Sequence, residues 1–261
     1  MRRMMIFGLG YSAGVIARAV ETRGWEVVST GRYGTLSFDD EGTVRLALAD
    51  TDAVLSSVPP AGDGTDPVLE RYGAGLEHKW LGYLSSTGVY GDLGGAWVDE
   101  TAPVGTGRRT ARAECDAAWL ARGARVFRLP GIYGPGRSAL DRVRQGKAHR
   151  IALPGQVFSR IHVDDIAAGV LAGLTGPAGA YNLADDEPCS QNAVIEEACR
   201  LLGRAPPPLL GLDEAGLSPM ARAFYAENRR VANGKAKRVL GWKPRFASYR
   251  EGLRAILAGE H

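Results

Sequence analysis

Short apolar runs alternate with longer amphipathic stretches from the first residues of the chain onward. Residues 4–8 (MMIFG) read as a buried strand, and residues 12–24 place Val15, Ile16, Ala19 and Val20 at helical spacing. Arg18, Glu21 and Arg23 occupy the opposite face of that helix, and Gly24 is a C-terminal stop signal. WEVVST (25–30) then reads as a second strand. The same reasoning predicts strands at AVLSSV (53–58), LGYLSS (81–86) and RVFRLPG (125–131), and helices at 43–50, 66–76, 111–123 and 163–174. Val- and Leu-rich strands separated by helices imply an α/β fold with a doubly wound parallel sheet of the Rossmann type.

The texture changes after Tyr181. NLADDEPCSQNAVIEEACRLLG suggests a short strand, a loop and a helix, RAPPPLLGL a stiff connector, and the last thirty residues two helices around a Gly-Trp-Lys-Pro turn. The expected organisation is a Rossmann domain over residues 1–180 and a small C-terminal α/β lobe over 181–261, with 137–160 contributing to that lobe.

Composition narrows the function classes. The 261 residues are 45% hydrophobic with a formal charge of +3, enough for a substantial core. Their lysines and arginines are scattered, which argues against a nucleic-acid partner. The apolar run in MRRMMIFGLG is too short for a signal peptide, and nothing approaches the length of a membrane span, so a cytoplasmic protein is expected. Cys115, Cys189 and Cys199 read as small apolar residues, and with His78, His149, His162 and His261 they show no ligand spacing, so no metal site is expected.

Gly8-Leu9-Gly10-Tyr11-Ser12-Ala13 is a G-x-G-x-x-A turn between a strand and a helix. Gly8 permits the tight turn, Gly10 lets a pyrophosphate approach the backbone, and Ala13 lets the helix pack on the strand. The amides opening the helix, from Tyr11 and Ser12 onward, supply donors. A site preferring NAD(H) usually ends its second strand in Asp or Glu, whereas this strand ends Ser29-Thr30-Gly31-Arg32. Arg32, helped by the Thr30 hydroxyl, suits a 2′-phosphate, so NADP(H) is favoured over NAD(H).

The segment LSSTGVYG (84–91), followed in order by RLPGIYGPGR (128–137), RIHVDDIAAG (160–169) and YNLADDEP (181–188), resembles the extended short-chain dehydrogenase/reductase family, which includes nucleotide-sugar epimerases and dehydratases. The likeness covers essentially the whole chain. It implies a Rossmann domain with a C-terminal substrate lobe, a small-molecule substrate, and a homodimer formed through the helix that carries the family's Tyr-x-x-x-Lys pair. It also implies Ser86 as the catalytic serine. It places Ser57, Val58, Pro59, Ser85, Pro130 and Gly131 beside the cofactor, and Thr87, Tyr133 and Arg160 beside the substrate.

The Tyr-x-x-x-Lys pair itself is missing. Aligning Arg112 with the lysine puts Arg108 at the tyrosine, and no Tyr or Lys occurs between Gly91 and Arg125. A guanidinium holds its proton too tightly to act as a general acid near neutrality. Phe7 and Ala13 also replace the outer glycines of the family's usual turn, which resembles an atypical subgroup lacking the standard catalytic residues. Two readings follow. One is an NADP(H)-dependent epimerase/dehydratase-like oxidoreductase with another proton donor, Tyr90 or Tyr133, and with Arg108, Arg112 or Arg160 orienting an anionic substrate. The other is a non-catalytic NADP(H)-binding sensor or regulator.

Overall fold

The central sheet forms because five- to seven-residue runs such as RMMIF and WLGYLSS are buried on both faces, as parallel strands with helical crossovers require. A computed structural model describes residues 1–107 and 110–259, apart from the side chains of Met220 and Ala221. In its first part, β1 (Arg3–Phe7), α1 (Tyr11–Glu21), β2 (Glu26–Ser29), α2 (Glu41–Ala49), β3 (Ala53–Ser56), α3 (Pro67–Tyr72) and β4 (Trp80–Ser86) follow one another. The chain continues through β5 (Trp97–Val98), α4 (Thr110–Ala121), β6 (Arg125–Leu129), β7 (Gly131–Tyr133), α5 (Ala139–Arg144), β8 (Arg150–Ile151), β9 (Arg160–His162), α6 (Val163–Gly173) and β10 (Gly179–Asn182). It ends with α7 (Gln191–Leu201), β11 (Leu209–Leu210), α8 (Pro219–Phe224), β12 (Arg230–Val231), α9 (Gly234–Leu240) and α10 (Tyr249–Ala258).

Six parallel strands make the sheet, in the order β10-β6-β4-β3-β1-β2. The expected doubly wound fold is therefore present. Its first half is shorter than the usual dinucleotide-binding half, because the sheet stops at β2 instead of carrying one more strand beyond it. The strand order reverses at β1, and ligands bind in the crevice that such a reversal opens at the C-terminal strand ends.

Each face of the sheet has its own apolar layer. On one side α1 buries Ala13, Ile16, Ala17 and Val20, at spacings of three and four, against Ile166, Ala167 and Val170 of α6. Val15 and Ala19, expected on the inner stripe, lie at its margin. On the other side Val44, Leu48, Val68, Tyr72 and Trp119 from α2, α3 and α4 pack on Met5, Val54 and Tyr83. Asp66 starts α3 by accepting from the amides of Val68 and Leu69, both at 3.0 Å, and its second oxygen accepts from Trp119 Nε1 at 2.7 Å.

The predicted strand 125–131 divides at Pro130. A proline cannot donate to a ladder, so β6 ends at Leu129 and β7 pairs with β9 outside the main sheet. A further apolar cluster joins Leu140 and Val143 of α5 to Val194, Ile195 and Ala198 of α7 and Leu253 and Ile256 of α10. Short pairs, β8 with β11 and β5 with β12, tie in the Pro-rich connector and the segment before α9. No helix among the described residues is long and apolar enough to cross a membrane. Cys115 and Cys199 are buried; Cys189, read from sequence as a plain apolar residue, is half-buried and its sulfur accepts from Arg160 Nη1 at 3.1 Å.

Besides the buried Asp66 cap, charged groups enter this core at two further places. Below the C-terminal strand ends, Arg128 of β6 meets Asp116 of α4 through Nη2–Oδ1 at 2.7 Å and Nε–Oδ2 at 3.0 Å, with side chains only 4% and 1% exposed. At the seam with the second layer, the Asp165 carboxylate accepts from the Arg245 and Phe246 amides, and the Asp185 amide donates to the Arg160 carbonyl at 2.7 Å. Burial pushes the Asp185 carboxyl up to about 8, an effect the nearby Arg160 charge only partly offsets.

Removing one member of a buried ion pair leaves the other uncompensated, so Asp116→Ala should lower unfolding free energy by about 3–5 kcal/mol in urea denaturation, and Asp116→Leu with Arg128→Met should recover part of that loss. For Asp185, the unfolded chain releases above about pH 4 a proton that the folded chain retains to about pH 8. Stability therefore falls as pH rises through that window. Asp185→Asn should gain in melting temperature over the wild type between pH 5 and pH 8; a constant difference in scanning calorimetry would contradict this assignment.

Candidate functional site

The crevice begins where β1 hands over to α1. Gly8 adopts φ +84°, and a Cβ there would lie 3.0 Å from Ser57 Oγ and 3.1 Å from a Val58 methyl. Gly31, with φ +113°, lets the end of β2 close on the turn, since a Cβ would stand 2.7 Å from the Leu9 amide nitrogen. The Leu9 amide donates to the Thr30 carbonyl at 2.7 Å and the Gly8 amide to Thr30 Oγ1 at 3.4 Å. Thr30, expected to help hold a 2′-phosphate, is instead fully buried and fixes the turn.

The space ahead of Gly10 is open, for a Cβ there would meet only the Gly8 carbonyl, at 4.0 Å. The first turn of α1 has neither a side-chain cap nor an acidic residue, so its amides and the positive end of its dipole face this space. These residues fit the diphosphate of a dinucleotide. Arg32 follows Gly31 directly, is exposed, and makes no hydrogen bond or ion pair with a described residue.

From the glycine turn a cavity of about 980 Å³ runs over the strand ends to the second layer. Gly10, Tyr11, Ser12, Ala13 and Ser57 line its start. Ser85, Ser86, Thr87, Arg112, Pro130 and Gly131 form its middle, and Tyr133 and Arg160 its far wall. Gly8, Thr30, Arg32, Val58, Pro59 and Tyr90 are not on the lining. Arg108 lies outside the described residues.

Ser86 ends β4 and caps the short 3₁₀ turn Thr87–Tyr90; its Oγ accepts from the Gly88 amide at 3.1 Å, which leaves its own hydrogen for the cavity. Arg112 donates to Tyr83 Oη at 2.9 Å, and Tyr83 stacks on Trp119 with centroids 5.4 Å apart. A cation thus stands on the cavity wall, on the face of β4 that carries Tyr83 and Ser85. Ser85 also borders the cavity but commits its hydroxyl to Asp116 Oδ2 at 2.7 Å.

Tyr90 was a candidate proton donor, and its placement removes it from that role. Its side chain is completely buried, its hydroxyl donates to Asn182 Oδ1 at 2.8 Å and accepts from Arg128 Nη1 at 3.0 Å, and burial raises its pKa. The 3₁₀ turn swings it into the core instead of toward the crevice. Tyr133 lines the cavity with its ring, but its hydroxyl is sealed against α10 without a hydrogen-bond partner, and burial and the Asp185 carboxylate raise its pKa. Tyr11 donates its hydroxyl to the Pro135 carbonyl at 3.0 Å. Arg160 is 6% exposed and donates to the carbonyls of Phe158, Cys189 and Ser190 and to Gln191 Oε1.

Sequence reasoning missed Arg137, Arg142, His149, Phe158, Phe224 and Tyr225, all on the lining. Arg137 lies over the Tyr11 ring at 5.6 Å, close to the helix opening. Its position after the Gly-Pro-Gly of the second landmark segment, 128–137, was the one available signal; the others come from segments with no readable spacing. No group of three His, Cys, Asp or Glu side chains among the described residues gathers to hold a metal.

No family model matches the chain. A functionally unknown conserved protein from Silicibacter pomeroyi is similar over 99% of both chains, with 40% identity and a TM-score of 0.88. A human epimerase family protein solved with NADPH superposes with a TM-score of 0.80 over 98% of this chain and 99% of its own, at 16% identity, a likeness of fold. A Streptomyces 3-diazoavenalumate denitrifying reductase is 34% identical over 140 residues, 49% of this chain, and the match spans 45% of the reductase. At 40% identity along its whole length, the chain belongs to one family with the Silicibacter protein, a family built on the extended short-chain dehydrogenase/reductase fold of the epimerase/dehydratase-like proteins.

Proposed function

We propose that the protein binds NADP(H) across the glycine turn and works as an oxidoreductase on a small anionic molecule held between the sheet and the second layer. The open cradle before Gly10, continuous with the cavity that Ser86 and Arg112 line, carries this reading. The NADPH in the human fold relative and the reductase name of the Streptomyces relative support it. A nicotinamide dinucleotide bound there supplies or accepts a hydride. The exposed, unpaired Arg32 at the end of β2 suits the 2′-phosphate that distinguishes NADP(H) from NAD(H).

Ser86 holds the reacting oxygen of the substrate by donating its free hydrogen, and Arg112 supplies positive charge on the cavity wall. Neither replaces a tyrosine–lysine relay. None of the lysines lines the cavity, and the tyrosines nearest Ser86 direct their hydroxyls elsewhere. The burial of Tyr90 equally favours the second reading, an NADP(H)-binding regulator without chemistry.

Fluorescence titration should show NADPH binding more tightly than NADH. Arg32→Ala should weaken NADPH about 10- to 100-fold, as loss of a hydrogen bond to a charged group does, and leave NADH within about twofold. With deuterium-labelled NADPH and a panel of nucleotide sugars, keto acids and simple carbonyls, label transfer should fall about a hundredfold in Ser86→Ala. Binding without any transfer would select the regulator, and tighter NADH would remove the role given to Arg32.

A further inference from the structure

The half of the cavity farthest from the glycine turn has a character of its own. Phe158 stacks on Phe224 with centroids 5.2 Å apart and meets Tyr225 edge-on at 5.6 Å, making a flat apolar wall. Phe224 remains 48% exposed, an unusual state for a phenylalanine bordering a cavity. Beside this wall, Tyr225 Oη lies 3.4 Å from His149 Nε2. Burial lowers the His149 pKa and the charge of Arg142 lowers it further, so its ring is neutral near pH 7. The charges of Arg142 and Arg160 both act on the Tyr225 hydroxyl. Two guanidiniums, an imidazole and the Tyr225 phenol therefore converge on one spot next to the two phenylalanine rings.

Among the described residues no acid pairs with Arg142, and the acid near Arg160 is the buried Asp185, whose proton is retained to about pH 8. Arg142 makes no side-chain hydrogen bond or ion pair with a described residue, and the donors of Arg160 end on neutral oxygens and a thiol. Of the acids on the lining, Asp141 is taken up by the Ser138 cap of α5 and Glu227 is paired with Arg229 at 3.0 Å. An arginine fork is suited to a carboxylate, and a flat aromatic wall to a ring lying along it. Size sets a further limit, because about 980 Å³ is the whole cavity and a site for one drug-sized ligand runs to about 300–1,000 Å³. With a dinucleotide at one end, little room is left for a second nucleotide.

We propose that this half of the cavity binds a planar aromatic or conjugated carboxylate, its carboxylate on Arg142 beside Tyr225 and His149 and its ring along Phe158 and Phe224. The assignment deepens the oxidoreductase reading and rests on it for which half is left to the substrate. It names an aryl acid instead of a nucleotide sugar.

Calorimetric titrations of the NADPH-saturated protein with cinnamate, 3-cyclohexylpropionate, cinnamyl alcohol and UDP-glucose test it. Cinnamate should bind at least tenfold more tightly than each of the others. Arg142→Gln should remove its advantage over the alcohol, and Phe224→Ala its advantage over the saturated acid. Both side chains are at the surface, so melting temperatures should stay near the wild type. NADPH affinity, read by fluorescence on the same samples, should stay within twofold. Tighter UDP-glucose, no preference among the four, or indifference to Arg142→Gln would overturn the proposal. Cinnamate binding in a protein that takes no NADPH would sink the cofactor reading and leave the aryl-acid site standing.

Discussion

A guanidinium and a carboxylate, both sealed from water, hold the working end of the sheet together. Desolvating such a pair is tolerable only when every remaining donor and acceptor is engaged, and here Asp116 also accepts from Ser85 while Arg128 also donates to Tyr90. Tyr90 passes the network on to Asn182, whose amide donates to Glu100 Oε1 at 2.7 Å. In this way β4, α4, β6, β10 and the turn after β4 are fixed to one another at the strand ends where the crevice opens. Ser86 inherits its position from this network. Ser86 follows directly on Ser85, so anchoring Ser85 to Asp116 fixes the strand end that presents Ser86 to the cavity.

The same network explains why Tyr90 does not serve as a proton donor. A tyrosine that donates a proton must reach the substrate and must be able to ionise. Tyr90 can do neither, because its hydroxyl already has a donor and an acceptor and its surroundings disfavour the phenolate. Arg112 keeps a cation on the cavity wall, but its fork is aimed at Tyr83 Oη. Among the described residues the cavity wall offers arginines and little acid, a combination that suits anions.

Much of this was legible along the chain, and the illegible parts share a cause. The long elements announce themselves by period: α1, α4 and α6 by their stripes, β1, β3 and β4 by continuous apolar runs. The G-x-G-x-x-A turn was readable because its mechanism fixes both residue type and order. Two- and three-residue strands such as β5, β8 and β12 carry no period at all, and Pro130 hid a change of sheet inside one apolar run. Tyr90 misled for a geometric reason, since its place after a strand end suggests the crevice while one 3₁₀ turn rotates it inward. Arg142, His149, Phe158, Phe224 and Tyr225 meet only through tertiary packing, from α5, the approach to β9 and α8, so no spacing could have linked them.

Charge connects these observations. The chain as a whole carries +3, yet the cavity wall alone holds Arg112, Arg137, Arg142, Arg160 and Arg229 against Asp141 and Glu227, both already committed. Like charges gathered around one low-dielectric space repel one another, and anions filling that space relieve the repulsion. Ligands that bind only the folded chain stabilise it by mass action. Here they also bridge, because Arg112 hangs from β4 and α4 while Arg142 stands on α5, which packs with α7 and α10. A diphosphate at the glycine turn and a carboxylate at the far wall would each neutralise part of the same excess, so filling either end lowers the repulsion felt at the other.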